Sequence, residues 1–222
     1  MKNSPVVGIV DYGMGNLMSV SKAFESLGAL PLVSGEPDEL MRAEGLVLPG
    51  VGAFHDCVAN LKRNSLDEFV VSWIREGKPF LGICLGLQVL FTKSYEFGEH
   101  EGLGIIRGTV KRFPEGFIEY EVAGKKVKEK LKIPHMGWNS VRYPEGSPFF
   151  SGIPQDSYFY FVHSYYVDPE DNGVRSARTN YGIEFVSAVE KGNIVAVQFH
   201  PEKSQKVGIQ FLKNFLQFMT RT

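Results

Sequence analysis

Residues 78 to 91 read KPFLGICLGLQVLF. The apolar run PFLGIC (79–84) has the length of one buried strand and is too short for a core helix. Gly82 and Gly86 bracket Cys84 and leave room for a sharp backbone bend. LGLQVLFTKSYEF (85–97) reads as the helix that follows. A strand turning straight into a helix at a glycine-flanked cysteine has the form of a nucleophile elbow, which lifts a reactive side chain above a sheet edge. The helix would aim its first amides and its dipole at the sulfur and favour the thiolate. The competing reading is a small buried cysteine at a tight junction. This stretch alone leaves both open.

The flanking sequence repeats the same alternation. VVGIVDY (6–12), LPLVS (30–34) and EGLVLPG (44–50) read as buried strands. NLMSVSKAFESLG (16–28), FHDCVANLKRN (54–64) and LDEFVVSWIREG (66–77) carry helical spacing, the first stopped by Gly28. Strand and helix in turn, with short loops, predict an α/β fold: an open, mostly parallel sheet with helices on both faces. From residue 104 the pattern changes. GIIRGTVKRF (104–113), FIEYEVAGKKVKEKLKI (117–133), WNSVRY (138–143), SYFYFVHSYYVD (157–168), IEFVSAVEKGN (183–193) and IVAVQFH (194–200) are rich in β-branched and aromatic residues between turn signals. They predict antiparallel additions, with VAGKKV (122–127) as a hairpin tip whose lysines are solvated. SQKVGIQFLKNFLQFMT (204–220) reads as a closing amphipathic helix. No repeat or linker divides the chain, so residues 1–222 are expected to form one domain.

Composition narrows the function. The 222 residues are 43% apolar and 22% charged, with a formal net charge of -1. Nothing global attracts nucleic acid or an anionic membrane. No apolar run approaches the roughly 18 residues of a membrane span. The start, MKNSPVVGIVDYG, lacks the pattern of an export signal, and two distant cysteines make no disulfide framework. A reducing cytoplasm is the expectation. The five histidines show no metal-ligand spacing, so neither a metal nor a cofactor is expected. Cys57, inside a helical segment, reads as core.

QFHPEKS (198–204) supplies a base. His200 and Glu202 stand two apart, and in extended chain such residues project to one side. Pro201 favours extension at His200. Glu202 could then fix the imidazole tautomer, leaving the other nitrogen for Cys84. LPGVGAF (48–54) supplies a third piece. Gly50 and Gly52 let the amides around Val51 approach a ligand, and with the Leu85 amide they could hold an oxyanion. In an open parallel sheet, all three loops fall at strand carboxyl ends, where the active crevice lies. A plain turn at 50–52 and a polar strand tip at 200–202 are the plainer alternatives.

Together these pieces resemble the class I glutamine amidotransferases. DYGMGN, LPGVGAF, GICLGLQ, PHMGWN, YFVHSYY and QFHPEKS, in that order across residues 11 to 204, resemble the glutaminase subunits of imidazole glycerol phosphate synthases. Leu87 stands where methionine is common, and segment 111 to 133 is longer than usual. The resemblance implies that Cys84, His200 and Glu202 hydrolyse glutamine through a cysteine thioester. It also implies that Gln88, Glu96, His163 and Ser164 hold the substrate. It implies a separate partner, a (β/α)₈ cyclase, docking near Asn16, Met136, Trp138 and Lys203 and receiving ammonia. Trp138 reads equally as a core side chain. The glycines around Val51 suggest an oxyanion loop completed only when that partner binds. A paralogue serving another amidating synthase, for example on a surface sugar, is the nearest alternative. A dinucleotide site at DYGMGN fails, because Met18 stands where the third glycine is needed.

Overall fold

The computed structural model describes residues 4–122 and 125–220. In chain order the first elements are β1 (Val6–Val10), α1 (Leu17–Ser26), β2 (Leu30–Ser34), α2 (Pro37–Leu40), β3 (Gly45–Gly50), α3 (Phe54–Arg63), α4 (Leu66–Arg75), β4 (Phe80–Cys84) and α5 (Leu85–Gln88). Then come β5 (Phe91–Ser94), β6 (His100–Glu101), β7 (Ile106–Arg112), β8 (Phe117–Val122), β9 (Lys125–Lys130), β10 (His135–Val141), β11 (Ser157–His163) and β12 (Tyr165–Pro169). β13 (Arg175–Tyr181), β14 (Ile183–Lys191), β15 (Ile194–Val197), a 3₁₀ turn (Pro201–Lys203) and α6 (Gln205–Met219) complete the chain. No helix among the described residues is long and apolar enough to cross a membrane.

Strands β2-β1-β3-β4-β15 pair side by side and all in parallel. Antiparallel β14 and β12 extend that sheet to β7, β5 and β6, and β13 pairs with β14. The α/β class and its antiparallel second half are therefore as the sequence predicts. The period-2 alternation of the central strands divides the core into two layers. Val7, Ile9, Leu81, Ile83, Val195 and Val197 face one layer, closed by α1, α6 and a cluster of phenylalanines including Phe150, Phe159, Phe199 and Phe211. Leu46, Leu48, Phe80, Ile194 and Ala196 face the other, closed by α3 and α4 with Trp73 and Leu61.

Three segments depart from the sequence reading. The helix expected over 85–97 is the single turn α5, and the chain returns to the sheet as β5. Leu85, Leu87, Val89, Leu90 and Phe91 are all buried. A run apolar on every side suits no amphipathic surface helix. The expected strand 157–168 breaks at Ser164: β11 pairs with β10 in a separate two-stranded sheet, and β12 joins the main one. The hairpin β8–β9 also forms its own two-stranded sheet. Lys125, Lys126, Lys128 and Lys130 on it are exposed, while the expected tip residues Ala123 and Gly124 lie outside the described residues.

The crossing of β4 into α5 depends on missing side chains. A Cβ on Gly86 would overlap the Leu48 carbonyl oxygen of β3, and one on Gly82 would lie 2.5 Å from the Gly86 carbonyl oxygen. The elbow therefore packs backbone on backbone. Gly86→Ala is expected to cost about 3 kcal/mol or more by overpacking. That would lower the melting temperature by roughly 6–12 °C for a chain of this size. An unchanged melting temperature would show that the elbow has slack.

Candidate functional site

The in-register pairing of β3 and β4 sets Gly50 opposite Cys84, and β15 lies on the other side of β4. Three loops from adjacent parallel strands thus share one carboxyl edge. Between them is a cavity of about 260 Å³. Its lining includes Val51 and Gly52 from the loop after β3, Cys84, Leu85 and Gln88 from the elbow, and His200 from the loop after β15. Glu96, His163 and Ser164 line it as well, so nine of the expected residues meet in one cavity. Gly50 is fully buried beneath the elbow: a Cβ there would lie 2.6 Å from Leu85 Cβ. Gly52 has φ of +97°, a conformation that favours glycine.

Cys84 has φ of 57° and ψ of -106°, outside the regions a non-glycine residue ordinarily occupies. Strain of this kind is held only where the surroundings over-determine it. The following helix is one turn, so its dipole adds less than the sequence reading expects. Cys57 is the contrast: fully buried, with burial pushing its thiol up to about 12.

His200 and Glu202 meet by a different route from the one expected. His200 is extended, but Pro201–Lys203 then curls into the 3₁₀ turn. The turn returns the carboxylate to the ring, with Glu202 Oε1 2.9 Å from Nδ1. Ser204 Oγ clamps the turn by donating to the His200 carbonyl at 2.6 Å and accepting from the Tyr160 amide at 3.0 Å. Gly208 of α6 lies so close that a Cβ would overlap the Pro201 carbonyl oxygen. Both side chains of the pair are almost wholly buried. Burial opposes charge on the imidazole, but the Cys84 sulfur and the Glu202 carboxylate outweigh it and lift His200 to about 10. Nε2 has no hydrogen-bond partner among the described residues.

The break at Ser164 places a second histidine pair. His163 Nδ1 lies 2.8 Å from the Tyr165 carbonyl, which can only accept. Nδ1 therefore carries the proton, and Nε2 accepts from His135 Nδ1 at 2.9 Å. His135 Nε2 in turn accepts from Asn139 Nδ2 at 3.2 Å. Both rings are neutral: burial pulls His135 down to about 4, and burial and His135 pull His163 down to about 3. His163 thus contributes a fixed polar wall to the cavity and no charge.

The remaining expected residues divide. Glu96 reaches the cavity, and its Oε2 accepts from the Phe54 amide, tying down the loop that holds Val51 and Gly52. Gln88 is buried, with Nε2 3.1 Å from the Tyr165 carbonyl. Met136 and Trp138 are 66% and 45% exposed, so Trp138 is not a core side chain. They stand opposite Val162 and Tyr160 of β11. Lys203 Nζ sits 5.9 Å from the Tyr160 ring centre. This face is continuous with the cavity through Val162. Asn16 lies apart from the cavity lining, at the start of α1. The sequence reading misses Gln198, whose Nε2 lies 3.6 Å from Cys84 Sγ, and His135. The one available signal for Gln198 is an uncharged polar residue inside the apolar run IVAVQFH.

These histidines set opposite pH limits on stability. His135 and His163 are neutral when folded but bind protons below about pH 6.5 when unfolded, so acidification below 6.5 destabilises the fold. His200 keeps a proton that the unfolded chain releases above about 6.5, so its stabilisation fades as pH rises towards 10. The melting temperature should therefore peak near pH 6.5 and fall on both sides. Glu202→Gln should make the alkaline limb shallower and Cys84→Ala more so, and a native profile rising steadily from pH 6.5 to 9 would contradict the charge on His200.

The glutamine amidotransferase class-I family profile matches residues 9–218. The chain is 51% identical over 209 residues to the imidazole glycerol phosphate synthase subunit HisH of Geobacter sulfurreducens, covering 94% of this chain and 97% of that one. It is 50% identical over 208 residues to the subunit of the same name from Aquifex aeolicus, covering 93% and 94%. Among solved structures, PurLQS from Thermotoga maritima superposes with a TM-score of 0.71 at 19% identity, covering 99% of both chains. A glutamine amidotransferase from the same organism does so with 0.68 at 16%, covering 100% of both. At such identities the structures speak for the fold alone.

Proposed function

The chain belongs to the class-I glutamine amidotransferase family, and from that premise we propose that it is the glutaminase subunit of an imidazole glycerol phosphate synthase in histidine biosynthesis. The observation that carries this is the convergence of Cys84, Gln88 and His200 in one cavity, with Glu202 behind the imidazole, on a chain half identical to subunits of that name.

The chemistry follows from the groups. Cys84 Sγ attacks the side-chain amide carbon of glutamine, and the carbonyl π electrons move to oxygen. Amides of the Gly50–Gly52 loop and of Leu85 are the donors for that oxyanion. His200 gives its proton to the departing nitrogen, the C–N bond breaks, and ammonia leaves a glutamyl thioester. Water then adds and gives a proton to the now neutral His200, the C–S bond breaks with its electron pair returning to sulfur, and glutamate is released. Glu202 orients the imidazole throughout and stabilises its charged form before the attack and after hydrolysis. Gln88, Glu96, His163 and Ser164 shape the substrate's place.

Ammonia is mostly protonated in neutral water and is then no nucleophile, so it must be passed on directly. The face of β10 and β11 beside the cavity suits a (β/α)₈ cyclase, with Met136, Trp138 and Lys203 as contacts and Asn16 at its margin. That partner would use the ammonia to form imidazole glycerol phosphate and aminoimidazole carboxamide ribotide. Completion of the oxyanion loop on docking fits the positive φ at Gly52 and the half-exposed Val51. Two free cysteines are consistent with action in the cytoplasm, as one domain.

Glutamate release, measured with and without the cyclase subunit and its nucleotide ligand, tests this reading. Cys84→Ala should abolish release. Glu202→Gln should slow it by roughly 10² to 10⁴. The native chain should be slow alone and fast in the complex. Full release by the isolated chain would overturn the gating of the oxyanion loop. Stimulation by a different amidating synthase, and none by the histidine-pathway cyclase, would overturn the pathway.

A further inference from the structure

Gln198 lies between β15 and His200, and none of it reaches water. Which end of its amide faces the sulfur follows from a neighbouring carbonyl. The Tyr165 oxygen can only accept, so Gln88 must turn its NH₂ towards it, at 3.1 Å. The same nitrogen lies 2.9 Å from the Gln198 side chain and gives its second hydrogen there. Gln198 must therefore show Gln88 its oxygen, which leaves its own NH₂ on Cys84 Sγ at 3.6 Å. His163 Nδ1 donates to the same Tyr165 oxygen, so the anchor is held from two sides.

We propose that Gln198 is a catalytic residue of this site, whose side-chain N–H holds the Cys84 sulfur as an anion and takes up its charge again when the thioester breaks. The inference rests on the glutaminase reading above and adds a donor to its nucleophile. In the attack, a sulfur electron pair forms the S–C bond and charge moves to the amide oxygen, so the N–H···S bond weakens. In hydrolysis the C–S electron pair returns to sulfur, and the bond is restored. Gln198 thus favours both the resting thiolate and its departure. Gln88 acts on it as a positioning residue, because its two donated hydrogens fix which end of Gln198 meets the sulfur.

Alkylation of Cys84 by iodoacetamide tests this without glutamine, so its failure is distinguishable from failure of the glutaminase reading. Gln198→Met keeps the volume and removes the donor. At pH 7 its alkylation should be slower than native by roughly tenfold, the worth of one hydrogen bond to a charged group. Mass spectrometry during turnover should find more glutamyl thioester per enzyme. Native alkylation rates in a variant with native near-ultraviolet circular dichroism would overturn the proposal. So would lost glutamine hydrolysis with unchanged alkylation, which would make Gln198 a cavity wall only. If the variant does not fold, the native side chain still answers. The Gln198 amide protons, followed by NMR, should move upfield in Cys84→Ala, and an unmoved signal would overturn the assignment.

Discussion

Glu202 Oε1 lies 2.9 Å from His200 Nδ1, and hardly any of either side chain touches water. Taking such a pair out of solvent costs several kcal/mol for each ion, and the attraction between the two recovers it only when the geometry is held. The surrounding structure supplies that hold. The 3₁₀ turn sets the carboxylate against the ring, Ser204 bolts the turn to β11, and α6 presses on it at Gly208. The imidazole then keeps a proton at neutral pH, which is the proton that a departing amine needs. Removing His200 would leave the carboxylate buried without its partner, and removing Glu202 would leave the imidazole with the Cys84 sulfur alone.

The sheet brings the sulfur into the cavity that this imidazole lines. Five parallel strands run side by side, and the loops after β3, β4 and β15 emerge at one edge. The elbow works because Gly82 and Gly86 allow strand, turn and helix to pack backbone on backbone. Beyond the parallel half, the break at Ser164 brings a second polar system to the same cavity. It is neutral, and its proton positions are dictated outward from the Tyr165 carbonyl. His163 offers the cavity a dipole of fixed direction, held by the Tyr165 carbonyl and by His135. Such preorganised polarity stabilises developing charge without reorganisation during the reaction.

The fold from β1 to β4 was legible because buried strands and amphipathic helices carry different periodicities there. Legibility failed where periodicity vanished. Residues 85 to 91 are almost uniformly apolar, and only the sheet edge beside β7 decides that the chain returns as β5. RSARTNY becomes β13 although most of its side chains are polar, because its backbone pairs along the edge of β14 and only Ala177 and Thr179 need burial. Within the site, Cys84, His200 and Glu202 were legible through local signs: glycines at a bend and a carboxylate two residues from a histidine. The 3₁₀ turn that joins His200 to Glu202 was not, since Pro201 equally suits an extended chain. Gln198 and His135 carry no spacing signature, and their roles arise from contacts with residues far along the chain.

The central claim is that His200 carries a proton at neutral pH because the Cys84 sulfur and the Glu202 carboxylate hold it there. An NMR titration of the His200 ring, on protein selectively labelled at histidine, measures this directly. The ring should remain protonated through pH 8 and titrate near 10, with a larger fall in Cys84→Ala than in Glu202→Gln. A ring that loses its proton at or below about pH 6.5, the ordinary range for a free histidine, would contradict it.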